Sequence, residues 1–388
     1  MPASATIPYP DIRTPAVLID LNKLETNIEE MSQLAARAKV RLRVHVKVHM
    51  CAEIARMQIK AGACGIELGT VGGAAAMATE GINDILISHP GLYQGQTLEM
   101  LKELLRKPGL KLGVVVDMLE QAEIISDAGQ ALGKKVPVII KVESGANRYG
   151  TPPGEETVAL AKKLSRLPGV RFTGIYAHEV YSEPTPDKQD AAAIEVLELI
   201  SATAKLLKEA GFKLEHVSVG SSATWRAVCR QIKSGAFPEV NEIHPGSGIV
   251  GAMLQVKRFA LTEDQCALTI ITSVMSTSHP GHAVIDVGQK TMGEDSLISF
   301  RDRPGFFWQN MPSYGAIRGR PDLHLGALHA EVSRVFYRDP AKKLKLGERL
   351  EIIPNNPFIV INTQEKLYGV RRGRIETIIP VTGRGKGT

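Results

Sequence analysis

The chain has 388 residues, 44% hydrophobic and 23% charged, with a formal net charge of +6, ordinary values for a soluble globular protein of one large domain plus a smaller one, or two comparable domains. Its one basic cluster, VRRGRIETIIPVTGRGKGT at the C-terminus, lacks the interleaved aromatics of a nucleic-acid surface and reads as a solvated tail. With no apolar run of about 18 residues, no apolar core in the N-terminal MPASATIPYPDIRTPA, and four scattered cysteines without CxxC spacing, the expectation is a cytoplasmic protein with reduced thiols, neither exported nor membrane-bound.

After a Pro-rich lead-in, AVLID predicts a short strand. Leu24, Ile28, Met31, Leu34 and Ala35 then recur at helical spacing, which predicts a helix from about Leu21 to Ala38. Eight short apolar runs follow: RLRVHVK, ACGIEL, DILISH, LGVVVD, VPVIIKVE, RFTGIYAHE, LEHVSVG and EVNEIHPG. Helical stretches lie between them, among them GQTLEMLKELLRK, LEQAEIISDAGQAL, EETVALAKKLSRL and DAAAIEVLELISATAKLLKEAG. The runs are near-continuously apolar, as strands buried on both faces must be. The pattern predicts an α/β fold, a (β/α)8 TIM barrel over residues 20–255. Beyond residue 256 helical periodicity fades, and CALTIITSVMS, HAVIDVG, EVSRVFY, RLEIIP, FIVINT and KLYGV read as β segments parted by turns. They predict a β domain over 256–388 together with residues 1–19, whose sheet the AVLID strand can join.

Barrel enzymes carry their chemistry at the C-terminal ends of the strands. Here those ends hold Lys47, Glu67, His89, Asp117, His178, the GSS of residues 220–222 and His244. Strand alternation in RVHVKVHM aims His45, Lys47 and His49 the same way. A lysine facing a barrel interior is costly unless paired or covalently used, and burial makes its amine a competent imine former. His45 and His49 read as core or supporting residues. VSVGSSATW and HPGSG each place Gly and Ser directly after strands seven and eight, where barrels frequently bind phosphate through loop amides. KVESGANRYG puts Arg148 after strand five, as an ordinary ion-pairing residue or as a permanent cation for an anionic ligand oxygen.

Together these segments resemble the D-threonine aldolase/D-serine dehydratase group of alanine-racemase-type (fold type III) pyridoxal-phosphate enzymes. The resemblance runs through TPAVLIDLNKLETNI, RVHVKVH, ESGANRYG, GIYAHEVYS, VSVGSSAT, NEIHPGS, AVIDVG and LKLGERLEIIPNN. It implies an alanine racemase-like barrel and pyridoxal 5'-phosphate bound as a Schiff base on Lys47, with Arg148 on the phenolic oxygen. His178 would lie against the cofactor ring, Tyr176 close by, and Gly220, Ser221, Ser222, Gly246 and Ser247 would hold the phosphate. It also implies a small amino-acid substrate and a head-to-tail homodimer. Metal-dependent members carry a C-terminal PNHxC or PxHxD-like segment, whereas this chain has PNNPFIVIN, with Asn356 and Phe358 at the ligand positions. Phenylalanine cannot ligate and an amide is a poor zinc ligand, so the usual metal is expected to be absent. Glu179 and Val180 also stand where relatives tend to have Gly and His, and His244 where many have Arg.

The implied activity is a lyase reaction on D-β-hydroxy amino acids, foremost retro-aldol cleavage to glycine and an aldehyde. His89, His329 or Glu331 is the candidate base for the substrate hydroxyl. Dehydration as for D-serine and racemisation are the alternatives, the latter with Tyr314 as a second base. A non-catalytic cofactor-binding protein is a further one, against which the extra β domain argues.

Overall fold

The computed structural model describes residues 9–178, 185–297 and 307–387, so Glu179 and Val180 fall outside the described residues. The chain divides into two compact units. One comprises Ile28–Gly248, Arg258–Ala260 and Gly385–Thr388; the other comprises Met1–Asn27, Ile249–Lys257 and Leu261–Arg384. The main junction thus falls at Gly248/Ile249, ahead of residue 255. Hydrogen bonds show why: the Val250 carbonyl accepts from Ala267 and Leu268 N–H, and the Asn27 amide donates to Ile249 O.

In the first unit eight strands close into a parallel barrel: Arg41–His45, Gly65–Leu68, Asp84–Ile87, Lys111–Val116, Val136–Lys141, Val170–Ala177, His216–Val219 and Glu242–Ile243. Each apolar run supplies one strand, and the last pairs with the first through Arg41↔Glu242 and Leu42↔Ile243. Val114, Val115, Val116, Val138, Ile139 and Ile140 are all buried, and each aliphatic side chain removed from water contributes about 1.5–3 kcal/mol. Helices Gly95–Arg106, Leu119–Ala131, Glu155–Leu164 and Pro186–Glu209 lie between strands where the helical spacing puts them. Inside the barrel, Leu86, Val115, Ile139 and Tyr176 form one cluster across strands three to six.

The alternation expected through RVHVKVHM stops early. The strand ends at His45, and Val46–Val48 turn into a 3-10 helix. Two features set that turn: the His45 ring accepts from Lys47 N–H, and Val46 O accepts from both His49 and Met50 N–H. His49 therefore does not share the face of Lys47 by strand pleat. It is fully buried, with Nδ1 accepting from Cys51 N–H at 3.1 Å and Nε2 lying 3.1 Å from Gln58 Oε1.

The second unit is built on a nine-stranded sheet. Ala16–Asp20 sits inside it, antiparallel to Leu268–Ser276 and parallel to Lys366–Arg371. His282–Ile285, Ser333–Tyr337 and Arg349–Pro354 are strands as their sequences predict. FIVINT is not: Pro357–Asn362 is a helix. Its β-branched residues mimic a strand, but Asn356 caps it by accepting from Phe358 N–H at 3.0 Å, Pro357 occupies the first turn, and the buried residues are Pro357, Val360 and Ile361 at helical spacing. Among the described residues no helix is long and apolar enough to cross a membrane.

Candidate active site

Of the residues at the C-terminal strand ends of the barrel, Lys47, His89 and His178 line one pocket, whereas Glu67, Asp117, Gly220, Ser221, Ser222 and His244 are not part of its lining. Its lining includes Lys47, His89, Arg148, Tyr149, Tyr176 and His178, together with His45, Ser88 and Lys141. Lys47 stands on the 3-10 turn just past strand one, where burial pulls its amine below the usual lysine value, Glu67 opposing and Arg148 assisting. The amine is thereby biased toward its neutral, nucleophilic form.

Four imidazoles surround it, all held neutral at pH 7. Burial is the first cause in each case, with cationic neighbours adding to it. His89 is lowered to about 4 and His178 to about 3, while His45 and His244 are driven well below the ordinary 6.5. Two of the rings are fixed from behind. His178 Nδ1 lies 2.7 Å from Gly220 O and so donates to it, and His244 Nδ1 lies 2.8 Å from Ser218 Oγ. His244 also stacks on Tyr176 with ring centroids 3.9 Å apart and planes 11° from parallel, while Lys141 Nζ is 4.3 Å from the Tyr176 ring centroid.

The two Gly-Ser turns meet each other and the lysine turn. Ser222 Oγ accepts from the backbone N–H of Gly246 at 3.2 Å and of Ser247 at 2.7 Å. His45 N–H donates to Pro245 O at 3.0 Å, which ties the end of strand one to the residue before Gly246. A Cβ on Gly246 would lie 2.8 Å from His45 O, and one on Gly220 would lie 2.8 Å from His244 N. Both glycines are needed for this close backbone approach. Ser221 Oγ is 2.8 Å from Thr224 Oγ1 and accepts from Ala223 N–H, so it also shapes its own turn.

Arg148 is carried on an exposed loop organised by two carboxylates. Glu143 accepts from Gly145 N–H at 2.6 Å and Asn147 N–H at 3.1 Å, and Asp117 accepts from Gly150 N–H at 2.8 Å. Asp117, at the end of strand four, thus builds the loop from below. The guanidinium lies 4.4 Å from the centroid of the Tyr149 ring, and that ring lies 5.8 Å from His89.

The remaining candidates lie in the β unit. Glu331 is exposed and ion-paired with Lys290, and His329 is exposed as well. Tyr314 is partly buried, its phenol pushed up by burial and by Glu294. Asn356, besides capping its helix, donates to Asp295 Oδ2 at 2.9 Å, and no group of three or more His, Cys, Asp or Glu poised for a metal occurs among the described residues. Lys141, Ser88 and Tyr149 line the pocket although the motifs did not single them out. Their signal was position: Lys141 ends strand five, and Ser88 directly follows strand three.

Comparison with known proteins matches this architecture. The alanine racemase N-terminal domain profile covers residues 19–253. The chain belongs to that family. A putative serine dehydratase domain profile matches residues 267–370 of this alanine racemase-type chain. It is 28% identical to a 3-hydroxy-D-aspartate aldolase of Paracoccus denitrificans (strain Pd 1222), over 100% of this chain and 96% of the relative. It is likewise 28% identical to a D-threonine aldolase of an Arthrobacter species, over 99% and 96%. The crystal structure of D-threonine aldolase from Filomicrobium marinum superposes with a TM-score of 0.84 at 28% identity, covering 99% of each chain.

The alanine racemase-type family implies pyridoxal 5'-phosphate, and the residues present fit it. An amine biased to the neutral form suits an aldehyde, and two glycine turns so close to backbone that a Cβ would collide suit a group approached through main-chain amides.

Proposed function

We propose that this chain is a pyridoxal-phosphate-dependent lyase of D-β-hydroxy amino acids, cleaving its substrate in retro-aldol fashion to glycine and an aldehyde. The observation that carries the proposal is the Lys47 amine, lowered by burial, in a pocket with Arg148, His89 and His178 and on a turn tied to the Gly246–Ser247 loop. In this reading Lys47 holds the cofactor aldehyde and Arg148 pairs with its phenolic oxygen. Tyr176 and His178 flank the ring, and Gly220, Ser221, Ser222, Gly246 and Ser247 hold the phosphate. The cofactor, when bound, supplies the electron sink.

The chain's own residues supply the proton chemistry. His89 has a neutral ring at working pH and takes the substrate's β-hydroxyl proton; a positioned base of this kind contributes about 10²–10⁴-fold. Neutral His178, anchored on Gly220 O, keeps the ring face apolar and aligned. Glu331 has no part in this reading, because its carboxylate is exposed and paired with Lys290. The reading carries no divalent metal at the PNN segment, where Phe358 offers no ligand atom, and it carries the family's homodimer and cytoplasmic setting.

The test is to offer D-threonine, D-serine and D-alanine to the purified enzyme. Glycine plus acetaldehyde from D-threonine is the expected outcome. Pyruvate and ammonia from D-serine would make it a dehydratase, inversion alone a racemase. A visible cofactor absorption band with no turnover would make it a cofactor-binding protein.

A further inference from the structure

Among the described residues, Glu67 is a carboxyl buried beside the lysine pocket that the proposed chemistry leaves without a role. It lies on barrel strand two and is fully inaccessible to solvent. Its Oε1 accepts from Tyr176 Oη at 2.9 Å, and the same oxygen lies 3.8 Å from His45 Nε2. Its Oε2 has no hydrogen-bond partner among the described residues, nor does His45 Nε2. Buried polar atoms are usually satisfied, and an orphan oxygen of a buried carboxyl calls for an explanation.

Both of its neighbours touch the site. His45 receives the Lys47 backbone N–H, and Tyr176 lines the pocket between His244 and the Leu86–Val115–Ile139 cluster. Glu67 therefore spans the two side chains that frame the reactive amine, from strand one to strand six. We propose that Glu67 is a positioning residue of the Lys47 pocket, anchoring the Tyr176 phenol and carrying a proton whose release changes the charge felt at the amine. The inference rests on the reading of Lys47 as the cofactor's attachment point.

The electrostatics agree with the geometry. Burial raises the Glu67 carboxyl to about 8, against the lowering effect of the Tyr176 hydrogen bond. The other charges acting on it are Glu242, which raises it further, and Arg43 and Lys47, which lower it; His45 and Tyr149 also face it. At neutral pH it is chiefly uncharged. Above pH 8 its carboxylate favours a protonated nitrogen at position 47, as the opposite sign of its effect on Lys47 requires.

The experiment is a pH titration of the visible absorption of the holoenzyme, from pH 6 to pH 10 (a span of roughly two units either side of the carboxyl), for the wild type, Glu67→Gln and Tyr176→Phe. Glu67→Gln keeps the shape and the acceptor for Tyr176 but cannot ionise. The expected result is a spectral step near pH 8 in the wild type, absent in Glu67→Gln. In Tyr176→Phe the step moves to higher pH, because a hydrogen bond that lowers the carboxyl has been removed. Superimposable curves for the three proteins overturn the proposal, and should Glu67→Gln not fold, an unmoved step in Tyr176→Phe does so alone. A parallel borohydride reduction and peptide map separates the two ideas. Label on Lys47 with superimposable curves removes only the role of Glu67, whereas no label on Lys47 removes both.

Discussion

Gly246→Ala tests whether the two Gly-Ser turns are held by backbone contact. The added Cβ would lie 2.8 Å from His45 O and 3.1 Å from His45 Cβ. Neither neighbour is a flexible side-chain end, so the loop or the end of strand one must move by several tenths of an ångström. Overpacking of this sort costs about 1–3 kcal/mol. If the loop moves only when the cofactor is absent, that cost falls on binding and weakens cofactor affinity by roughly 5- to 150-fold. If the barrel bears it instead, the unfolding midpoint drops by a few degrees. Equilibrium titration of the apoprotein with pyridoxal 5'-phosphate, followed at the visible band, reads the first quantity; thermal unfolding of the same apoprotein reads the second. An alanine variant unchanged in both would refute the claim that this glycine is required for close approach.

Other expectations follow from the same geometry. Lys47→Ala should lose the visible band and incorporate no borohydride label, read by peptide mapping. His89→Asn should lower kcat by about 10²–10⁴-fold with the visible band retained; loss of the band instead would assign His89 to cofactor binding. Stability should fall as pH drops from 6.5 towards 4. His49 is buried neutral with its folded value depressed to about 4, so the unfolded chain binds the extra proton across that window and folding is disfavoured. Each such histidine contributes up to about 1.4 kcal/mol per pH unit, and urea midpoints measured across this range should slope accordingly. Dialysis against a chelator should leave turnover unchanged, since Phe358 has no donor atom; a loss restored by added zinc or manganese would contradict that.

The barrel was legible because buried parallel strands leave continuous apolar runs, and Val114–Val116 or Val138–Ile140 admit few other readings. The position of Lys47 was legible too, but its setting was not. The alternation of RVHVKVHM continues past His45, and only the hydrogen bonds of the His45 ring and Val46 O turn the chain there. In the same way FIVINT has strand composition, yet the Asn356 cap and Pro357 start a helix. Local capping outweighed β propensity because that segment buries only one narrow stripe. Glu67 stood among the strand-end residues with no role attached. What singles it out is a tertiary fact, the meeting of strands two and six at Tyr176 Oη, which no spacing in the sequence encodes.

The bond from His45 N–H to Pro245 O joins the first barrel strand to the loop after the last. Almost the whole barrel is synthesised between them, so a nascent chain that has exposed Lys47 still lacks the glycines that complete its surroundings. Such long-range pairing is slow to form. A ligand gripping both ends would favour only the finished ring, acting as a clasp on a belt and drawing the folding equilibrium towards closure by mass action.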